Sequence, residues 1–133
     1  MSKYNTNLAA EFYVLSTLYR LGIDAYLTLG NKKSVDIIVL NSQHEIITVD
    51  VKGLVDPYDW PANNITLEAK GHFYALVCYE GKMVDPLVSP SSWIVPALKI
   101  NKFINTYGDR SVVSRSLIRK NGGDFKENWE VLR

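Results

Sequence analysis

Carboxylates brought together can hold a divalent cation, and a lysine beside them adds positive charge to the same place. An acid two positions before a lysine occurs four times, as Asp50-Val51-Lys52, Glu68-Ala69-Lys70, Glu80-Gly81-Lys82 and Asp124-Phe125-Lys126. Residue frequencies alone predict about one such match, so the tripeptide carries little weight without its setting. Glu80-Gly81-Lys82 falls at a turn, where solvated charges are expected. Glu68-Ala69-Lys70 lies in a polar connecting stretch, and Asp124-Phe125-Lys126 follows Gly122-Gly123 in a polar tail.

Asp50-Val51-Lys52 is different, because it ends a run that reads as an interior strand, Glu45 to Lys52 (EIITVDVK). Side chains alternate faces along a strand. Asp50 and Lys52 therefore share a face with Thr48 and Ile46, while Ile47, Val49 and Val51 point the other way into apolar packing. Charges on a strand so rich in β-branched residues are costly unless paired or bound to metal.

Val35 to Leu40 (VDIIVL) reads as a second strand, and Asn41-Ser42-Gln43-His44 is short and polar, so the two predict an antiparallel hairpin. A turn centred near Gln43 puts Asp36 opposite Asp50, or one residue off. Directly opposed side chains have Cβ atoms about 5 Å apart, where like charges repel. A divalent cation between them turns that repulsion into attraction; otherwise Asp36 would simply cap the strand at the surface. Glu11 is a third unusual acid. It sits three residues after Leu8 and four before Leu15, within or at the edge of a helical apolar stripe. It either faces the sheet-edge site or reaches solvent from the helix boundary.

The surrounding elements must position these groups. Asn5 to Leu21 predicts a helix, with Leu8, Phe12, Leu15, Leu18 and Tyr19 as its apolar face, Asn5 or Thr6 as cap, and Gly22 past its end. Ala25 to Leu29 predicts a short strand and Gly30-Asn31 a turn. Gly53 to Asn64 is expected as loop. His72 to Glu80 predicts a largely buried strand, and Trp93 to Pro96 another, with Pro96 marking an edge or an end. Lys99 to Tyr107 is expected as a short helix, and the tail to Arg133 has no clear pattern. The order predicts an α/β fold with helices flanking a mixed sheet.

The order Glu11, then Val35-Asp36, then Asp50-Val51-Lys52 resembles the PD-(D/E)XK nuclease superfamily, which includes restriction endonucleases and archaeal Holliday-junction resolvases. The pattern covers Asn5 to Gly53 and is most similar to small resolvase-like domains. Val35 stands where the first motif often has proline, a change that removes no ligand. The resemblance implies a restriction endonuclease-like core: a helix, a three-stranded antiparallel unit, then a helix and a strand. It implies that Asp36 and Asp50 hold Mg²⁺ or Mn²⁺, with the Val51 carbonyl as a further ligand and Glu11 binding directly or through water. Lys52 would orient or help deprotonate the attacking water and offset charge on the phosphate. The implied reaction is in-line phosphodiester hydrolysis.

A DNA substrate needs cations facing its phosphates. Lys32 and Lys33 lie just before Asp36. Between Lys99 and Lys120 stand six basic residues (Lys99, Lys102, Arg110, Arg115, Arg119 and Lys120) against one acid, Asp109. They read either as a nucleic-acid surface or as a solvated helix face. Tyr58 and Trp60 either stack on bases or pack beneath their loop.

The remaining candidates read as ordinary. His44 is expected solvated in its turn, His72 an edge histidine and Cys78 a core residue. Two histidines so far apart make no zinc motif, and Ser34 and Ser42 have no base in a recognisable pattern. A single cysteine excludes an internal disulfide and points to a reducing cytoplasm. The polar start, Met1 to Asn7, does not read as a signal peptide, and no apolar run reaches the ~18 residues of a membrane span. At 133 residues and 47% hydrophobic, the chain is expected to form one globular domain. Its net charge of +1 predicts no partner by itself. A homodimer would suit duplex or branched DNA, which offers two related strands. An inactive nuclease-fold partner module and an RNA-processing nuclease are the alternatives.

Overall fold

The computed structural model describes residues 2–28, 35–63, 65 and 69–133. Its main sheet has five strands: β1 (Asp24–Leu27), β2 (Ile37–Leu40), β3 (Ile46–Leu54), β5 (His72–Cys78) and β6 (Ser91–Pro96). Their spatial order is β1-β2-β3-β5-β6. All neighbours are antiparallel except β3 and β5, so the sheet is mixed. A smaller sheet joins β4 (Trp60–Pro61), β8 (Arg110–Val113) and β7 (Ile104–Tyr107), in that order. Helix α1 covers Lys3–Arg20, and α2 covers Arg115–Asn121. This is the expected mixed α/β arrangement. No described helix is long and apolar enough to cross a membrane.

The two faces of the sheet have separate cores. Ile47, Val49 and Val51 of β3, with Ala75 and Val77 of β5, pack against Ala10, Val14 and Leu18 of α1. On the opposite face, Tyr74, Leu76 and Cys78 of β5 meet Trp60, Trp93, Phe103 and Ile118. Strand alternation thus divides β3 as expected, with its polar members Thr48, Asp50 and Lys52 on the side away from the α1 core.

Several boundaries differ from the sequence expectations. Helix α1 begins at Lys3 because the Ser2 hydroxyl accepts from the Asn5 amide, so Ser2 is the cap. Its buried stripe is Thr6, Ala10, Val14 and Leu18, whereas Phe12 and Tyr19 are exposed. Small residues win the inward face because the helix lies close to the sheet. At Gly53, an added Cβ would stand 2.9 Å from the Ala10 Cβ and 3.1 Å from the Thr6 carbonyl oxygen. Gly22 does adopt the left-handed conformation, φ 73°.

The expected helix over Lys99–Tyr107 is instead a 3₁₀ helix, Ala97–Phe103, running straight into β7. Ile100 and Phe103 fill the second core, a three-residue repeat that suits the tighter helix. The loop after Gly53 contains β4, and Trp60 is fully buried while Tyr58 is 71% exposed. Between β3 and β5 the described residues form no helix; β4 lies there. Pro96 both ends β6 and lies on an edge strand. Leu29, the turn Gly30-Asn31, and Lys32, Lys33, Ser34 and Glu68 lie outside the described residues.

Candidate active site

The hairpin register predicted from the turn holds over its full described length, from Leu40 opposite Ile46 to Ile37 opposite Val49. One residue further the ladder breaks. The Asp36 amide donates to the Val49 carbonyl at 2.9 Å. The Val51 amide, which a continuing β2 would have paired, donates instead to Asp36 Oδ2 at 2.7 Å. Asp36 is therefore bonded to the residues on both sides of Asp50. Its own carbonyl is held from just past β1, where the Thr28 amide donates to it at 2.9 Å.

Beyond this point β3 runs on to Leu54, leaving an edge that α1 partly covers. A cleft of about 240 Å³ opens there. It is lined by Glu11, Asp36, Asp50, Val51 and Lys52, together with Lys3, Asn7, Gly53, Trp60, Pro61 and Asn63. The three acids and the lysine picked out of the sequence thus line one cavity. Lys3 and Asn7 did not stand out in the sequence. They lie eight and four residues before Glu11, the same helical row, so Glu11's assignment implies them.

Asp50 is 5% exposed. Burial pushes its carboxyl up to about 7; Lys52 opposes the shift, and Asp36 and Glu11 add to it. Lys52 Nζ lies 3.8 Å from Asp50 Oδ2. Glu11 is likewise pushed up to about 7, by burial first and by the Asp36 charge second. Both acids thus hover between charge states near neutrality, in a cleft where further positive charge would draw them into the ionised form. Among the described residues, no three His, Cys, Asp or Glu side chains form a group that could hold a metal ion by themselves.

His72 is not the expected edge histidine. It is buried on the interior strand β5, and its Nδ1 pairs with Thr48 Oγ1 at 2.6 Å. Burial lowers its pKa, and its Nε2 has no hydrogen-bond partner. Cys78 is buried as expected.

The basic residues between Lys99 and Lys120 do not line this cleft. Arg115 and Arg119 line a second cleft with Lys126, Glu80 and Trp93. Arg115 is paired there with Glu80, which corrects the expectation that Glu80 is a solvated turn charge. Glu80 adopts φ 54°, a left-handed conformation that turns the chain after β5. Lys126 lies 5.7 Å above the Trp93 ring, and Lys99 lies 5.8 Å above that of Phe125. Lys102, Arg110 and Lys120 are exposed.

Comparison with known proteins gives no matching family model, no matching curated protein and no matching solved structure.

Proposed function

We propose that the chain is a metal-dependent phosphodiester hydrolase of the PD-(D/E)XK nuclease type, with a restriction endonuclease-like core, acting on DNA. The observation that carries this reading is the convergence of Glu11, Asp36, Asp50 and Lys52 on one cleft, with Asp36 bonded to both neighbours of Asp50. A purely structural role would not call for three carboxylates and a lysine at a half-covered strand edge.

The donor set fits Mg²⁺ or Mn²⁺. Mg²⁺ is usually held by one or two carboxylates and keeps several waters, so it needs no complete cage of side chains. Asp36 and Asp50 would hold it. In a strand, the N–H and C=O of a residue point to the same edge. The Val51 carbonyl therefore faces the edge where β2 has ended and would serve as a further ligand. Glu11 would contribute from α1. When bound, the cation supplies a more acidic water and positive charge against the phosphate.

The chain's own groups do the rest. The Val51 amide fixes one Asp36 oxygen and so orients that carboxylate. Asp50 keeps Lys52 close, which aims its ammonium group into the cleft beside the carboxylates. Lys52 orients the attacking water, assists its deprotonation and offsets charge on the pentacoordinate phosphate. Lys3, which also lines the cleft, would meet a phosphate oxygen outside the reacting bond. Arg115, Arg119 and Lys126 provide a separate basic cleft for flanking phosphates, and Lys32 and Lys33 add charge beside Asp36 in sequence.

The test is cleavage of linear and branched DNA with Mg²⁺ or Mn²⁺, beside an RNA of the same sequence. Wild type should cut DNA, and Asp50→Ala should lose cutting while keeping its circular dichroism. Preferential cutting of RNA would reassign the substrate. Absence of Mn²⁺ binding and of salt-dependent DNA affinity would favour the partner module, and equal cutting by Asp50→Ala would remove this mechanism.

A further inference from the structure

Helix α1 buries Thr6, Ala10, Val14 and Leu18. At 100° per residue, Tyr4, Leu8, Phe12, Leu15 and Tyr19 fall within about 80° of one another beside that stripe; Leu8 and Leu15 are half-buried, Leu15 packing partly against the core, and the three aromatics are exposed. Tyr4 is 72% exposed, Phe12 52% and Tyr19 58%. Asn5, Ser16 and Ala9 continue it on one side up to Arg20, and Glu11 borders it on the other, so the charges of α1 stand at the rim of this face and not within it. The solvent side of a helix is normally charged and polar. At about 200 Å² per ring, the three aromatics alone expose roughly 350 Å², as much as the largest patch of a typical monomer.

We propose that this face is the interface of a homodimer, in which two copies of α1 pack antiparallel about a two-fold axis beside Phe12. The spacing argues for a second copy rather than another partner, because the face nearly reads the same in both directions. Tyr4 and Tyr19 lie eight and seven residues from Phe12, and Leu8 and Leu15 four and three. A two-fold axis therefore sets Tyr4 against the partner's Tyr19, Leu8 against the partner's Leu15, and Phe12 against its own copy. That is the self-complementarity an isologous interface requires. Six rings would bury roughly 700 Å², more than half of the ~1,200 Å² at which specific interfaces begin, before the leucines are added. Glu11 adjoins Phe12, so pairing sets the two acidic clefts on opposite flanks of one helix pair. The dimer does not depend on the hydrolase reading.

Sedimentation velocity from about 1 to about 100 µM tests it, since dimers must respond to concentration. Wild type should reach twice the monomer mass. Phe12→Glu should weaken association at least about a hundredfold, because it sets two charges at the interface centre. Leu87→Glu, at a position 93% exposed in the turn between β5 and β6, should not. Phe12→Cys should cross-link to a symmetric dimer on mild oxidation, with the buried Cys78 not competing. A wild type monomeric throughout, or a dimer that survives Phe12→Glu, overturns the proposal. Failure of Phe12→Cys to cross-link overturns the antiparallel arrangement, whether or not the glutamate variant folds.

Discussion

The Val51 amide donates to Asp36 Oδ2 at 2.7 Å, replacing a backbone bond with a carboxylate at the point where β2 leaves β3. This contact sets the geometry of the cleft. It keeps one acid in place next to a second, Asp50, whose burial leaves its charge poorly solvated. It also leaves the far end of β3 unpaired on that side, so that α1 and the cleft can occupy the space.

The crowding of acids has a stability signature. The folded-state pKa values of Asp50 and Glu11, both about 7, lie above the ordinary 3.8 and 4.5. A raised acid favours the folded state fully below its unfolded pKa, and that contribution is lost as pH rises through the folded one. The metal-free protein should therefore lose stability from about pH 5 to pH 8, where most proteins gain or hold it. Asp50→Asn should flatten this slope and raise the melting temperature at pH 8 by about 4 °C. Calorimetry across that range checks it. Mn²⁺ should raise the wild-type melting temperature more at pH 8 than at pH 6, because it binds only the ionised acids.

Lys52 is assigned to the reaction rather than to holding the cation. Lys52→Met should lower kcat by about 10²- to 10⁴-fold and change KM little. Its affinity for Mn²⁺ should stay within a few-fold of wild type. Steady-state kinetics with isothermal titration separates the two roles; equal losses in both would make Lys52 a mere counter-ion.

Gly53 sets how closely α1 carries Glu11 to the sheet. A methyl group there would meet the Ala10 Cβ at 2.9 Å and the Thr6 carbonyl oxygen at 3.1 Å. Gly53→Ala should cost about 1–3 kcal/mol of stability, as overpacking does, and lower activity by displacing Glu11. Ala10→Gly in the same chain should restore part of the activity despite its own cost to the helix. Chemical denaturation and cleavage rates of both single variants and the double variant test this coupling.

The hairpin was legible because its signals agree: β-branched runs, a polar four-residue turn and a two-residue side-chain period all specify the same register. Asp36, Asp50 and Lys52 follow from that register. Helix α1 is legible as a helix, and Leu18 is buried and Leu15 partly so as expected, but Phe12 and Tyr19 are exposed, because hydrophobicity favours them while the close approach at Gly53 demands Ala10 and Thr6. Glu11 was still placed usefully, since it borders both faces. The pairing of Glu80 with Arg115 and of β4 with β8 joins residues far apart in the chain, and local pattern has no access to such contacts. The Thr48–His72 contact was hidden likewise, because it depends on the parallel register of β3 and β5.

The central claim is that Asp36 and Asp50 share one divalent cation. Titration of the metal-free protein with Mn²⁺ at pH 8, followed by electron paramagnetic resonance, reads it most directly. Wild type should take up Mn²⁺ in a saturable step, and Asp36→Asn and Asp50→Asn should each weaken it by at least about tenfold, as loss of a ligand does. Wild-type protein that leaves Mn²⁺ free in solution, or either variant binding it as tightly as wild type, would contradict the account.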